Sequence, residues 1–331
     1  MLDPHAIAQH LDGLAKPPGS LGRLEALAAR LAQVQGRLDP VTRPRRLVLF
    51  AGDHGVVAQG VTAWPQAVTA AMIATIASGR SASAVLAASV GAALRLVDVG
   101  SAGPPLADPP PFYRDARIRV GSRDLAVEPA LSLDEFDAAW AVGVEEAQRA
   151  ADDGMVVLAA GEMGIGNTTP AAALTALLAG LDPTAACGRG AGADDATLAR
   201  KLAVVRQALP RTGSLETKAA IAALCGYEIA AMAGFFTEGA RRGCTLVLDG
   251  YVATSAALIA ETLAPGTAAA MIAGHRSAEP GHAAAVAHLS LDPLLDWGMR
   301  LGEGTGALLA MPMLDAAAAL LSMATLKEVL G

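Results

Sequence analysis

Short apolar runs alternate along this chain with long stretches rich in alanine and leucine. The fully apolar runs predict strands that are buried on both faces. The six candidate strands are Leu47–Phe50, Leu94–Val99, Arg117–Val120, Met155–Leu158, Leu246–Leu248 and Met271–Ile272. The stretches between them, such as 66–78 and 169–179, have helical character. Strands that alternate with helices predict an α/β fold, in which a parallel sheet carries helices on both sides.

The composition suits such a fold and limits the possible partners. Hydrophobic residues make up 53% of the 331 residues but aromatics only 3%, so Ala, Leu and Val must fill the core. The net charge is −7 and there is no long basic run, so we expect no nucleic-acid partner. We also expect no membrane span, because no stretch of about 18 apolar residues is free of Gly, Pro or charge. Pro312 and Asp315, for example, interrupt the apolar segment 308–323.

The cysteines and the first residues bear on the compartment. The three cysteines, Cys187, Cys225 and Cys244, show no Cys-x-x-Cys spacing, which predicts neither a zinc site nor a disulfide framework. Residues 1–5 lack the charged and apolar regions of a signal peptide. A cytoplasmic location is therefore expected.

Both ends of the chain have helical character. Ser20–Glu25 opens an amphipathic stretch within residues 1–40, and residues 307–331 are largely helical in pattern. Because the termini of a domain often lie close together, residues 1–40 and 307–331 predict a small helical domain beside a large α/β domain of residues 41–306. The segment 101–112 contains five prolines and predicts a loop.

A glycine-rich segment, Gly161–Pro170, follows the fourth candidate strand. Ligands of parallel α/β sheets bind beyond the carboxyl ends of the strands. Asn167 and Thr168 are good helix N-cap residues and Pro170 suits a first helical turn, so the segment predicts a phosphate site at a helix N-terminus. A strand-to-helix turn without a ligand is the alternative. The pattern is neither a Walker A loop nor Gly-x-Gly-x-x-Gly, so neither ATP nor NAD follows.

Weaker candidates follow other strands. The Gly188–Gly192 loop and Lys201 can complete a phosphate pocket, although Lys201 also suits a solvated helix position. Asp249 is suited either to a ribose or base contact or to capping a turn. Asp53-His54 is better explained as a tight turn than as a metal site, and the two histidines in 274–282 lack a metal-like ligand spacing.

The strongest single candidate is Glu303 in the glycine-rich segment Leu301–Gly306. A carboxylate among such small residues has open space beside it for a substrate. Partial burial would raise its pKa and improve it as a general base, a role that contributes roughly 10²–10⁴ in rate. A structural glutamate satisfied by a neighbouring partner is the alternative.

Taken together, these segments resemble the nicotinate-nucleotide–dimethylbenzimidazole phosphoribosyltransferase family. The order and spacing of the matching segments cover nearly the whole chain. They are Lys16–Leu24, Gly52–Val56, Gly161–Ala173, Leu248–Tyr251 and Leu301–Ala307.

The resemblance implies transfer of the 5-phosphoribosyl group of nicotinate mononucleotide to 5,6-dimethylbenzimidazole in cobalamin nucleotide-loop assembly, giving α-ribazole 5′-phosphate and nicotinate. It implies a Rossmann-like parallel sheet, a homodimer, and neither a metal nor a redox cofactor. Glu303 matches the family's general base, and Glu162 is a second carboxylate near the ribose or base. The residues expected at the phosphate are Gly164, Gly166, Asn167, Thr168, Gly188, Gly190 and Lys201. Those expected around the base and nicotinate are Trp64, Met72, Asp249, Arg300, Leu301 and Gly302, with Arg300 facing the nicotinate carboxylate.

One region departs from the family pattern. Trp64 and Met72 stand where Ser and Gln are expected, which leaves the accepted base open, although core packing is a second explanation for Met72. Transfer to another base, such as adenine or a phenol, is therefore the first alternative. A nucleotide-binding regulatory module without turnover is the second, and the presence of both Glu303 and Glu162 argues against it.

Overall fold

The structure, a computed structural model, describes residues 2–331, and within them one parallel sheet of six strands organises the chain. The strands are β1 (Arg45–Gly52), β2 (Ala93–Gly100), β3 (Tyr113–Asp115), β4 (Val157–Met163), β5 (Thr245–Leu248) and β6 (Met271–Ala273). Their order is β3-β2-β1-β4-β5-β6 and every neighbouring pair is parallel. This is the strand order of the Rossmann fold, and the predicted fold class is confirmed. In such a sheet the point where the order reverses, here between β1 and β4, favours a ligand crevice.

Helices flank both faces of the sheet. Their bounds are α1 (Pro4–Gly13), α2 (Arg23–Gln35), α3 (Ala67–Ala77), α4 (Ala82–Val90), α5 (Leu133–Asp152), α6 (Thr168–Ala179), α7 (Pro183–Ala186), α8 (Asp195–Ala208), α9 (Thr217–Leu224), α10 (Tyr227–Arg241), α11 (Tyr251–Leu263), α12 (Pro280–His288), α13 (Thr305–Leu320) and α14 (Leu326–Leu330). Three short 3-10 helices lie at Gly55–Gln59, Leu209–Thr212 and Thr267–Ala270.

The sheet separates two hydrophobic cores. Along β1, Val48 and Phe50 belong to the core that α5, α6, α10 and α11 cover. Leu47 and Leu49 belong to the opposite core, which α1 to α4 and α13 cover. The alternation confirms that β1 is buried on both faces, as its apolar run predicts.

With so few aromatic residues, the core depends on close approach between helices. At the crossing of α5 and α10, a Cβ on Gly143 would lie 1.8 Å from the Ala231 carbonyl oxygen, and one on Gly234 would lie 2.2 Å from the Trp140 carbonyl oxygen. Only glycine permits this spacing. The two helices consequently pack backbone to backbone, without large side chains between them.

The N- and C-terminal helices contact each other, since α13 packs against α2. These helices share their core with one face of the sheet, because α13 also contacts α4, β4 and β5. The buried Arg45 of β1 strengthens this junction by donating to the Asp315 carboxylate and to the carbonyl oxygens of Val90 and Met311. The division into a small domain of residues 1–40 and 307–331 and a large domain of residues 41–306 stays a prediction.

The predicted strand at Arg117–Val120 is wrong. The edge strand β3 lies earlier, at Tyr113–Asp115, directly after the proline-rich loop. Ile118 and Gly121 donate backbone N–H groups to the carbonyl oxygens of Val99 and Gly100, respectively. The two donors are three residues apart, whereas the two acceptors in β2 are adjacent. Residues 117–121 therefore run beside β2 without the regular hydrogen-bond spacing of a parallel ladder.

The segment Ala67–Val90 is apolar and long enough to cross a membrane by length and composition alone. Length and composition alone are weak support for a membrane span, because core helices of globular proteins share them. The structure divides the segment into α3 and α4, with Gly79 and Arg80 between them.

Candidate active site

A cavity of about 420 Å³ opens beyond the carboxyl ends of the central strands. It lies at the crevice that the strand order favours. Its lining contains every predicted site residue except Gly188. The predicted residues that line it are Trp64, Met72, Glu162, Gly164, Gly166, Asn167, Thr168, Gly190, Lys201, Asp249, Arg300, Leu301, Gly302 and Glu303.

Glu303 lies in the tight turn that precedes α13. Its backbone φ is +56°, between Gly302 at +87° and Gly304 at +71°. A non-glycine residue in this left-handed region is uncommon, and such strain clusters at functional sites. Gly302 also has to be glycine for space, because a Cβ there would lie 2.2 Å from Glu162 Oε1. The turn thus brings the carboxylates of Glu303 and Glu162 to the same wall of the cavity.

The Glu303 carboxylate is nearly buried, with 4% of the residue exposed. Its Oε2 accepts a hydrogen bond from Ser83 Oγ at 3.1 Å, and Ser83 Oγ lies 2.7 Å from Ser81 Oγ. Burial raises the pKa of Glu303, and the charge of Asp249 raises it too, while the bonds with Ser83 oppose the shift. Such a carboxyl is better suited to accept a proton near neutral pH than an exposed one.

Asp249, directly after β5, holds the Glu303 turn. Its Oδ2 accepts the Gly304 N–H at 3.0 Å and its Oδ1 accepts the Gly306 N–H at 2.7 Å. His275 Nε2 lies 3.5 Å from Oδ1. Burial alone would raise the pKa of Asp249, but His275 and the backbone amides outweigh it and the pKa is lowered. Asp249 is therefore an anionic cap of the N-terminus of α13. It has the capping role that the sequence offered as an alternative to a ligand contact, and it also lines the cavity.

Glu162, in β4, is the second buried carboxyl group of the cavity. The Asn167 side-chain amide donates a hydrogen bond to its Oε2. Burial, followed by the charges of Asp249 and Glu228, raises the pKa of Glu162 well above its ordinary value. Both buried carboxyl groups of the cavity are therefore less readily ionised than an exposed glutamate. Asn167 occupies the N-cap position of α6, as predicted, but its side chain bonds Glu162 and makes no capping hydrogen bond.

The opposite end of the cavity combines a helix N-terminus with a buried lysine. α6 begins at Thr168, which lines the cavity, without a side-chain cap, so the positive end of its helix dipole lies at the cavity. Lys201 of α8 is 1% exposed, which excludes the solvated alternative. Its Nζ donates to Thr168 Oγ1 at 2.8 Å and to the Gly188 carbonyl oxygen at 2.9 Å. This arrangement is suited to an anion such as a phosphate.

The remaining wall of the cavity is more apolar. Trp64 is half exposed, and its Nε1 donates to the Ala191 carbonyl oxygen at 3.2 Å. Met72, on α3, lines the cavity, so core packing alone does not account for it. Arg300 and Leu301 are exposed, and Arg300 lies at the cavity without an ion-pair partner among residues 2–331. An unpaired guanidinium at this position is available to a carboxylate ligand.

Comparisons with known proteins identify the family. The phosphoribosyltransferase family model matches residues 4–329. A nicotinate-nucleotide–dimethylbenzimidazole phosphoribosyltransferase from Mycobacterium marinum is 49% identical over 321 residues, which cover 96% of this chain and 89% of the relative. The chain belongs to the nicotinate-nucleotide–dimethylbenzimidazole phosphoribosyltransferase family.

Other family members extend the match to the whole fold. The Thermus thermophilus relative is 46% identical over 334 residues, covering 99% of this chain and 98% of the relative. The crystal structure of CobT from Thermus thermophilus superposes with a TM-score of 0.95 and 45% identity, covering 98% of each chain.

Several residues around the family's cavity were missed by the sequence analysis. They are Ser83, which bonds Glu303, His275, which pairs with Asp249, and Glu279, which lines the cavity beside Lys201. In the segment 274–282 the sequence draws attention only to the spacing of its two histidines, and nothing local marks Ser83.

The predicted turn at Asp53-His54 lies behind the cavity rather than in its lining. His54 Nε2 lies 2.9 Å from Glu228 Oε1, and both side chains are buried. Burial by itself would lower the pKa of His54, but the Glu228 carboxylate prevails and raises it. Among the described residues, no group of three or more His, Cys, Asp or Glu side chains is placed to hold a metal ion.

Proposed function

We propose that this chain transfers the 5-phosphoribosyl group of nicotinate mononucleotide to 5,6-dimethylbenzimidazole, with Glu303 as the general base. The products are α-ribazole 5′-phosphate and nicotinate. The observation that carries the residue assignment is the position of Glu303, a nearly buried carboxylate with raised pKa in the cavity lining.

The chemistry needs one proton acceptor. One benzimidazole nitrogen attacks the anomeric carbon while the bond from that carbon to the nicotinate nitrogen breaks. The electron pair of the broken bond neutralises the positive ring nitrogen of nicotinate, so its departure needs no acid. The second benzimidazole nitrogen carries a proton that must leave for the product to be neutral, and Glu303 accepts it.

The 5′-phosphate is assigned to the other end of the cavity. The Gly164–Thr168 turn supplies backbone N–H groups and the N-terminal end of α6, and Lys201 supplies a positive charge. The Gly188–Gly190 turn completes this subsite. Arg300 is assigned to the nicotinate carboxylate, since its guanidinium is the cation at the opposite wall.

Glu162 is assigned to contact with the ribose or the base. Burial and the neighbouring carboxylates raise its pKa and so favour its protonated form. A neutral carboxyl group avoids like-charge repulsion with Glu303 and can donate a hydrogen bond. In its ionised form it can serve as a reserve base.

Transfer to another base, such as adenine or a phenol, remains the second candidate. Trp64 and Met72, which replace the expected Ser and Gln, support it because both line the cavity. We also propose a homodimer in the cytoplasm. The exposed Trp297 and Leu301 supply apolar surface for a second copy, and the three free cysteines suit a reducing compartment.

Nicotinate release from nicotinate mononucleotide, measured with a panel of bases, tests the activity. We expect release with 5,6-dimethylbenzimidazole, and no release with any base would refute the enzyme assignment. Glu303→Gln should bind both substrates yet lose roughly 10²–10⁴ in kcat, because it removes the proton acceptor. The control is Glu216→Gln, at an exposed position outside the cavity. Near-normal turnover of Glu303→Gln would exclude the general-base role alone.

A further inference from the structure

Glu279, immediately before α12, is a buried carboxylate that the proposed reaction does not use. The residue is 7% exposed and lines the cavity. Its Oε1 accepts the Gly190 N–H at 2.8 Å. Its Oε2 is buried and has no hydrogen-bond partner within residues 2–331. An unpaired oxygen on a buried charge is costly, so a compensating positive group must be nearby.

Lys201 is that positive group. Burial lowers the pKa of Lys201, whereas the charge of Glu279, and to a smaller degree Cys187, raises it. The two side chains also hold the same turn from opposite ends. The Lys201 ammonium donates to the Gly188 carbonyl oxygen, and the Glu279 carboxylate accepts the Gly190 N–H.

We propose that Glu279 is a positioning residue of the phosphate subsite, which fixes the Gly188–Gly190 turn and supplies the buried negative charge that keeps Lys201 a cation. Glu279 does not itself contact the phosphate, because two anions repel. The inference rests on the proposed function only in naming a nucleotide phosphate as the ligand. It explains why a carboxylate lies beside a site built for an anion.

The charge of Glu279 has a predictable effect on the pH range of binding. The other titratable group that acts on Lys201 is the Cys187 thiol, whose pKa burial raises to about 11, so it is neutral near pH 7. Burial lowers the pKa of Lys201, and the Glu279 charge is the largest influence that raises it. Either substitution at Glu279 removes that influence. The pKa of Lys201 should then fall further, and phosphate binding should be lost at a lower pH than in the wild type.

The test measures binding of inorganic phosphate by calorimetry from about pH 6 to about pH 10, with full-length Glu279→Gln and Glu279→Ala proteins. Glu279→Gln keeps an oxygen for the Gly190 N–H but removes the charge. We expect its alkaline loss of affinity to move to lower pH, with little change near neutral pH. Glu279→Ala also removes the anchor of the turn, so its affinity should fall by about tenfold to about 100-fold at every pH.

The matched control is Glu261→Gln. Like Glu279, Glu261 accepts backbone N–H groups through its carboxylate, in this case from Gly266 and Ala268, but it does not line the cavity. A Glu279→Gln profile that superimposes on the wild type would overturn the proposal, as would wild-type affinity in Glu279→Ala. If Glu279→Ala fails to fold, the Glu279→Gln profile decides.

Steady-state kinetics give a second measurement. Glu279→Ala should raise the KM for nicotinate mononucleotide by about the same factor and leave kcat nearly unchanged. The phosphate titration needs no turnover, so it tests Glu279 even if the wild type releases no nicotinate. Conversely, turnover by the wild type together with unchanged phosphate binding in both variants would refute the positioning role of Glu279. The proposed function would then remain intact.

Discussion

Ser83 donates its hydroxyl to Glu303 Oε2 at 3.1 Å, although the two residues are 220 positions apart in the sequence. The bond joins the first turn of α4 to the turn before α13. It orients the carboxylate and opposes the rise of its pKa that burial causes. The environment of the Glu303 carboxylate thus depends on a helix from the other half of the chain.

Ser83→Ala should narrow the pH range of activity from the acid side. Burial already raises the pKa of Glu303, and removal of the Ser83 bond should raise it further. A general base works as the carboxylate, so activity falls as the pH drops through this pKa. The fall in kcat/KM should therefore occur at a higher pH than in the wild type, with less than about tenfold loss at the optimum.

The measurement is nicotinate release as a function of pH. Ser89→Ala is the control, because the Ser89 hydroxyl lies on the same helix and bonds only to the Leu86 carbonyl oxygen. An acid limb that stays in place, or that moves to lower pH, would contradict the role of Ser83.

Gly302→Ala should reduce activity much more than stability. Both Gly302 and Gly298 have positive φ, so alanine at either position adds about 1 kcal/mol of backbone strain. Only at Gly302 does the new Cβ meet Glu162 Oε1, at 2.2 Å, whereas nothing lies within 4 Å at Gly298. We expect kcat/KM to fall by about 100-fold in Gly302→Ala and to change little in Gly298→Ala. Equal activity of the two variants would show that the turn at Gly302 does not determine the positions of the Glu303 and Glu162 carboxylates.

The glycine-rich turns of the candidate site are predictable from the sequence because their signals are local. Glycines on both sides of Glu303, and the Gly161–Pro170 segment after a strand, indicate ligand turns without any knowledge of tertiary contacts. The apolar runs likewise predict five of the six strands. The edge strand was misplaced because three residues at a sheet edge carry no periodicity, and Arg117–Val120 mimics a strand beside it.

The partners of these residues could not be predicted in the same way. Ser83, His275 and Glu279 become neighbours of the site only through the strand order, which brings distant segments to one edge. Asn167 illustrates the same limit, since a good N-cap residue by type is engaged by Glu162 instead. Tertiary contacts here override a local preference.

Arg45→Ala should destabilise the junction between the sheet and the terminal helices. The Arg45 side chain is fully buried and pairs with Asp315 at 3.0 Å, while its guanidinium also satisfies the Val90 and Met311 carbonyl oxygens. Removing it leaves these groups unpaired, and we expect a loss of about 3 kcal/mol in the free energy of unfolding. Denaturant titration measures the change.

The neighbouring residue supplies the control for Arg45. Arg46 pairs at 2.8 Å with Asp153, whose side chain is 58% exposed, so Arg46→Ala should cost less than about 1 kcal/mol. Similar losses in the two variants would contradict the view that Arg45 secures the junction.

We expect the identity of the accepted base to depend on the cavity wall formed by Trp64 and Met72. Trp64→Ser removes the indole ring and its bond to the Ala191 carbonyl oxygen, and Met72→Gln adds polarity to the same wall. Because a pocket discriminates bases by differential contact in the transition state, we expect the ratio of kcat/KM for 5,6-dimethylbenzimidazole to that for a phenol to change by about tenfold or more.

The pH dependence of activity should stay as in the wild type, since neither residue bonds Glu303. Met323→Gln is the control, because Met323 is exposed and does not line the cavity. If the ratio of kcat/KM for the two bases is the same in the wild type, both cavity variants and the control, specificity for the base is determined elsewhere in the cavity.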